Sequence, residues 1–187
     1  GMPTVEVLGI AQDAGVPHLG CDCSSCVQAR TADGKPRYAS AIVLHDDGTF
    51  LFDATPDIRF QLPKIPDSVF LTHAHLGHLS GVLFFGVEAA DPDRIPVYAT
   101  DGLGTVIREN APLNLLLEQD NLQINTISDG SDIELNNATV TAYRVPHRES
   151  LETGTLGYVI EGPVRSLLYL TDIDEWTAPT RELVEQV

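Results

Sequence analysis

The chain has 187 residues, 43% of them hydrophobic, and sets 11 Lys+Arg against 27 Asp+Glu for a formal net charge of −16. That length suits one domain with a real core, and a surface so negative repels phosphate backbones and anionic lipid, so nucleic acid and membrane partners are not expected. No apolar run is long enough to span a bilayer. "GMPTVEVLGI" lacks the basic region and long apolar stretch of a secretory signal, and Gly1 ahead of Met2 reads as a remnant of tag removal. A cytoplasmic location is therefore expected, and the three cysteines agree. All lie within residues 21–26, too close together for an unstrained bridge and odd in number, which suits a reducing compartment.

The first predicted strand is "TVEVLGI" (4–10). Residues 11–38 follow as a long loop rich in Gly, Cys, Asp and Pro, and a loop of that length without secondary structure of its own is usually functional or stapled by metal. "SAIVLHD" (40–46) and "TFLFDA" (49–54) are strands joined antiparallel through the Asp-Gly signal of "DDGT". "TPDIRFQL" is helical, with Thr55 as N-cap and Pro56 at the first helical position. Then come strand "SVFLTH" (68–73), helical "HLSGVLFFGVEAA", strand "PVYAT" (96–100) and a helix opening after Asp101 in "DGLGTVIREN". Strands "ATVTAYRV" (138–145), "LGYVIEG" (156–162) and "SLLYLTD" (166–172) precede a closing helical stretch, "TAPTRELVEQV". Strands outnumber helices, so the chain reads as a single α/β domain over 1–187, with a mixed sheet or two packed sheets.

"LTHAHLGHLSG" places three of the six histidines, His73, His75 and His78, within six residues. His73 and His75 are two apart beyond a strand and point to the same side in extended backbone, and His78 can swing back from the start of a helix. Imidazole is the commonest metal ligand near neutral pH, and a strand end feeding a helix holds several rigidly. His147 and Asp172, each of a ligand type at the end of an apolar strand, suit the same site; alone, His147 would read as a surface histidine and Asp172 as a turn or capping residue. The second constellation is "GCDCSSC", whose Cys21, Cys23 and Cys26 form C-x-C-x-x-C. Three thiolates suit structural zinc, which wants a fourth donor, and His18 is the nearest candidate. His45 beside the hairpin reads as structural, and Glu182 and Glu185 as a solvated face.

At these residues the chain resembles the metallo-β-lactamase-fold superfamily, whose signature is T-H-x-H-x-D-H at a strand–helix junction. "THAHLGH" matches every defined position except the aspartate, where Gly77 stands. "GVPHLGCDCSSCVQAR", "LFDATPDIRFQL" and "GYVIEGPVRSLLYLTDIDEW" further resemble the branch containing pyrroloquinoline quinone biosynthesis protein B and the phosphodiesterase of phosphonate breakdown. The resemblance implies an αββα sandwich with metals at one edge of its sheets. His73, His75 and His147 would hold the first metal, Asp172 would bridge toward a second, His78 would belong to that second metal, and Asp53 would orient ligand histidines. Zinc is the expected ion at both constellations, and iron or manganese also suits the histidines.

Two departures from the family pattern bear on function. Glycine at position 77 can neither ligate nor accept a proton, so the expectation is one metal, or a weakly filled second one. The chain also ends where the family pattern continues to a late histidine, so this reading has the sandwich lacking its C-terminal part, and either the sequence is cut short or a partner chain, such as a second copy, covers the sheet edge. Asp172 or Asp174 would be the replacement base. Three readings follow, in order: a metal-dependent hydrolase acting on a small-molecule ester, phosphodiester or related bond; a cofactor-biosynthesis enzyme in which the metal, iron or copper in place of zinc, serves an oxidation; and a catalytically silent metal-binding domain.

Overall fold

The computed structural model describes residues 1–146 and 151–171. Among the described residues, ten strands form two sheets. The first has six, in the order β1 (Thr4–Gly9), β2 (Ala41–His45), β3 (Thr49–Phe52), β4 (Ser68–Phe70), β5 (Ile95–Ala99) and β6 (Leu122–Thr126). β1, β2 and β3 pair antiparallel, and β3 to β6 pair parallel. The second sheet is antiparallel throughout: β10 (Ser166–Tyr169), β9 (Thr155–Glu161), β8 (Thr139–Val145) and β7 (Asp132–Glu134). The sequence left open a mixed sheet or two packed sheets; the chain has both.

Strand alternation divides the core in two. On β3, Leu51 faces one side while Phe50 and Phe52 face the other; on β4, Val69 and Phe70 divide the same way. Leu51, Val69, Val97 and Ala99 pack against helices, chiefly α4 (Asp101–Glu109) through Leu103 and Ile107 and α5 (Leu113–Glu118) through Leu116. Phe52, Phe70 and Tyr98 meet the second sheet through Tyr158, with Phe70 stacked between Phe52 and Tyr98 at centroid distances of 4.7 and 4.6 Å. Parallel strands covered on both faces explain why "SVFL" reads as an unbroken apolar run.

Several expected elements differ. Residues 11–38 are not devoid of secondary structure: they contain α1 (Ser24–Ala29) and are tied by bridges Ala11↔Ala39 and Val16↔Arg37. Thr55 does not cap its helix directly; α2 (Ile58–Gln61) has Asp57 at its N-cap, and the Thr55 hydroxyl accepts from the Asp57 N–H at 3.0 Å. The long helix expected after the histidines is α3 (Leu76–Leu79) followed by a 3₁₀ turn, Ser80–Phe85, in which the Gly81 N–H bonds back to Ala54 O at 2.9 Å. β6, β7 and α5 were not anticipated. The closing helical stretch lies outside the described residues.

The far end of the β2–β3 hairpin is pinned to the second sheet by Asp46, which is buried and accepts from the Asn137 N–H at 2.7 Å, the Asn137 side-chain amide at 2.8 Å and the Ala138 N–H at 3.0 Å. Burial pushes its carboxyl up, but these bonds outweigh that and hold it below the ordinary value of 3.8. A depressed native pKa stabilises the fold above the unfolded value, near pH 4, and that contribution is lost as pH falls through the native value. We predict that the stability advantage of wild type over Asp46→Asn, read from denaturant melts, is full at pH 7 and shrinks below about pH 4; a pH-independent difference would refute this account of Asp46.

Candidate metal centre

β1 and β3 both run antiparallel to β2, and β4 to β6 run parallel to β3. The C-terminal ends of β1, β3 and β4 therefore share one edge of the sheet. Asp53 follows β3 there, His73, His75 and His78 follow β4, and Asp13 follows β1. The second sheet reaches the same edge, because the Leu156 N–H bonds to Thr72 O at 2.9 Å and the Tyr169 hydroxyl donates to Asp53 Oδ2 at 3.1 Å.

Asp53 is fully buried and has φ +68°, a left-handed conformation that aspartate tolerates better than most residues. Its carboxylate accepts from the Thr72 N–H at 2.8 Å and from the Thr72 hydroxyl at 2.9 Å. It also pairs with His78 Nδ1 at 2.7 Å. These contacts assign ring tautomers. His78 donates its Nδ1–H to Asp53, which turns Nε2 away from that carboxylate. The Thr72 hydroxyl spends its single proton on Asp53 and so accepts from His73 Nδ1 at 2.8 Å, presenting the Nε2 lone pair of His73 toward His75. One carboxylate thereby orients two histidine rings with Nε2 toward the candidate site.

His73 and His78 are buried and His75 is half-buried, with ring centroids 4.6 Å apart for His73 and His75 and 4.2 Å for His73 and His78. His73 Nε2 lies 3.2 Å from His75 Nδ1. Two nitrogens on one tetrahedral zinc, each 2.0–2.1 Å from it, stand about 3.3 Å apart, so this pair fits a shared ion. His147, Asp172 and Asp174, which the sequence adds to this site, lie outside the described residues.

Sequence reasoning missed Asp13, Thr72 and Tyr169. Asp13 Oδ1 lies 3.2 Å from His78 Nε2, and Asp13 Oδ2 accepts from the Gly77 N–H at 3.1 Å. A Cβ on residue 77 would come within 2.5 Å of the Cα, Cγ and Oδ1 atoms of Asp13. The place where the motif has a side chain is filled from another part of the chain. The signal available in the sequence was indirect: a motif short of one carboxylate, and an aspartate in the Gly-rich stretch after the first strand.

The cysteines form a separate group. One Sγ from each of Cys21, Cys23 and Cys26 lies within 4.8 Å of the others, close to the separation of about 3.8 Å between thiolates on one zinc. The His18 ring is not in this group; its backbone N–H instead donates to Cys26 Sγ at 3.2 Å, a contact that orients the sulfur rather than completing a tetrahedron. The Cys26 N–H, with bonds from the neighbouring thiols, lowers Cys23 to about 7, whereas Cys21, although lowered by the Cys23 N–H, is raised overall by the adjacent thiols. His45 pairs with Glu6 at 3.0 Å on the surface, as its structural reading anticipated.

The family pattern described as "Beta-lactamase superfamily domain" matches residues 49–187. The chain belongs to this superfamily. It is 28% identical to Coenzyme PQQ synthesis protein B of Methylorubrum extorquens over 89% of its own length, and 30% identical to the protein of the same name from Rhizobium meliloti (strain 1021) over 84%. It spans 64% and 57% of those relatives, so less than two thirds of either. Among solved structures, Zn²⁺-bound PqqB from Methylobacterium extorquens superposes with a TM-score of 0.81 at 26% identity, over 98% of this chain and 69% of the other. A diphosphatase of the PhnP family gives 0.73 at 26% identity, over 98% and 70%. The metallo-β-lactamase fold and the branch read from the sequence both stand.

Two measurements test the geometry. In metal-free protein, iodoacetamide should label Cys23 half-maximally near pH 7 and Cys21 only at clearly higher pH, with zinc protecting both; equal profiles would remove the assigned difference. Asp53→Asn should weaken zinc binding at the histidines roughly 10–100-fold, read by chelator competition, with the cysteine group unaffected. Unchanged affinity would mean that Asp53 does not orient the ligands.

Proposed function

We propose that this chain carries the centre of a metal-dependent hydrolase acting on a small-molecule phosphodiester, diphosphate or related ester. The observation that carries the reading is the buried Asp53–Thr72–His73 and Asp53–His78 network, which turns imidazole lone pairs toward a common space at the sheet edge. A chain with no metal chemistry has no need to bury a carboxylate to that end. Likeness to the PhnP-family diphosphatase supports the substrate class.

A bound zinc supplies Lewis acidity and lowers the pKa of water to about 7, which serves attack on a carbonyl or phosphoryl centre. The chain's own residues do the positioning. His73 and His75 offer paired nitrogens, Thr72 and Asp53 hold the tautomers, and the two sheets exclude water from one side of the site. His147 and Asp172 belong to the ligand set of this proposal, and Asp172 or Asp174 is its general base. The three neighbouring thiols make a structural zinc staple and suit a reducing, cytoplasmic setting. No helix among the described residues is long and apolar enough to cross a membrane.

A second reading, a role in cofactor biosynthesis, is favoured by the similarity to proteins named for coenzyme PQQ synthesis. The test is hydrolysis of bis(p-nitrophenyl) phosphate and an aryl ester by zinc-, manganese- and iron-loaded protein, with metal content measured alongside. Turnover that needs metal and falls at least ~100-fold in His73→Ala is the expected result. Metal binding with no turnover on any ester would sink the hydrolase reading and leave the biosynthetic one.

A further inference from the structure

We propose that Asp13, from the loop after β1, is the carboxylate ligand that the histidine motif lacks at position 77, and that Asp13 and His78 hold a second metal ion beside His73 and His75. The inference rests on the reading of this edge as a metal centre and goes beyond it, because glycine in the motif by itself predicts a single ion.

Four observations converge on Asp13. Its Oδ1 stands 3.2 Å from His78 Nε2, close to the spacing of about 3.3 Å for two donors on one tetrahedral ion. Its other oxygen is held by the Gly77 N–H at 3.1 Å, so the carboxylate is oriented by the very residue whose side chain it replaces. The space a Cβ at 77 would fill is occupied by the Cα, Cγ and Oδ1 of Asp13. His78 is fixed from behind by Asp53 at 2.7 Å, which directs Nε2 toward Asp13. The absence of a Cβ at 77 is therefore what lets the backbone and carboxylate of Asp13 come this close to the motif. The Asp13 side chain is 38% exposed, so an ion can reach it from solvent.

A plain ion pair between Asp13 and His78 is the competing account, and metal counting separates the two. Zinc per chain is measured by elemental analysis after equilibrium dialysis, with Cys21→Ser/Cys23→Ser/Cys26→Ser to subtract the cysteine group and thermal melts to follow folding. Wild type should hold two ions at the histidine edge. Asp13→Asn, which preserves shape and can still accept from the Gly77 N–H, should lose one of them or bind it at least ~10-fold more weakly. Gly77→Ala, whose Cβ would meet the Asp13 Cα as well as its carboxylate, should push the loop after β1 away from the motif, melt lower and bind the second ion more weakly. Equal ion count and affinity in wild type and Asp13→Asn overturn the proposal, as does a folded Gly77→Ala variant that holds both ions with wild-type affinity. Either result leaves the hydrolase reading standing, whereas two bound ions without ester hydrolysis would fail that reading and keep this one.

Discussion

The buried carboxylate of Asp53 is the constraint on which the site depends. A carboxylate without solvent costs several kcal/mol unless its lone pairs are met, and here they are met by groups from three separate parts of the chain: the backbone and hydroxyl of Thr72, the His78 ring, and the Tyr169 hydroxyl from the second sheet. Satisfying Asp53 therefore forces the loop after β4, the start of α3 and the end of β10 into one place. The same bonds set the tautomer of His73 and orient the His78 ring, so one set of contacts holds the fold together and shapes the candidate site.

The sheets make this possible by separating two jobs. Alternation on β3 and β4 sends Leu51 and Val69 to the helical side and Phe50, Phe52 and Phe70 to the sheet interface, so the strands are held on both faces and their ends are rigid. Asp46 closes the far edge and Asp53 the near one, at opposite ends of the same hairpin strands. The candidate ligands follow the strands rather than lying within them, where the backbone is released from the ladder and side chains can converge.

Glycine in place of a motif aspartate looks, in one dimension, like a lost function. In three dimensions it is a vacated volume that a second carboxylate enters. Any Cβ at position 77 would overlap the Asp13 Cα and carboxylate, which is why the glycine is interpreted together with Asp13.

Much of the site was legible in the sequence. The spacing of His73, His75 and His78, the run of Cys21, Cys23 and Cys26, and the place of Asp53 at a strand end are local patterns, and local geometry governs which side chains within a few residues can meet. The strands with long β-branched or aromatic runs were legible for the same reason, whereas "LQINT" and "DIE" are too short and too polar to announce β6 and β7, and α5, Leu113–Glu118, is a single-sided turn of leucines. The fourth donor expected from His18 failed because proximity in sequence placed its backbone, not its ring, at the sulfur. Only the tertiary structure could decide that Asp13 faces His78: the two are 65 positions apart, and what joins them is the β1–β2–β3–β4 order that brings the ends of β1 and β4 to one edge. A sequence fixes which chemical groups a chain possesses and how near neighbours are spaced; which distant groups share a cavity is set by strand order and direction.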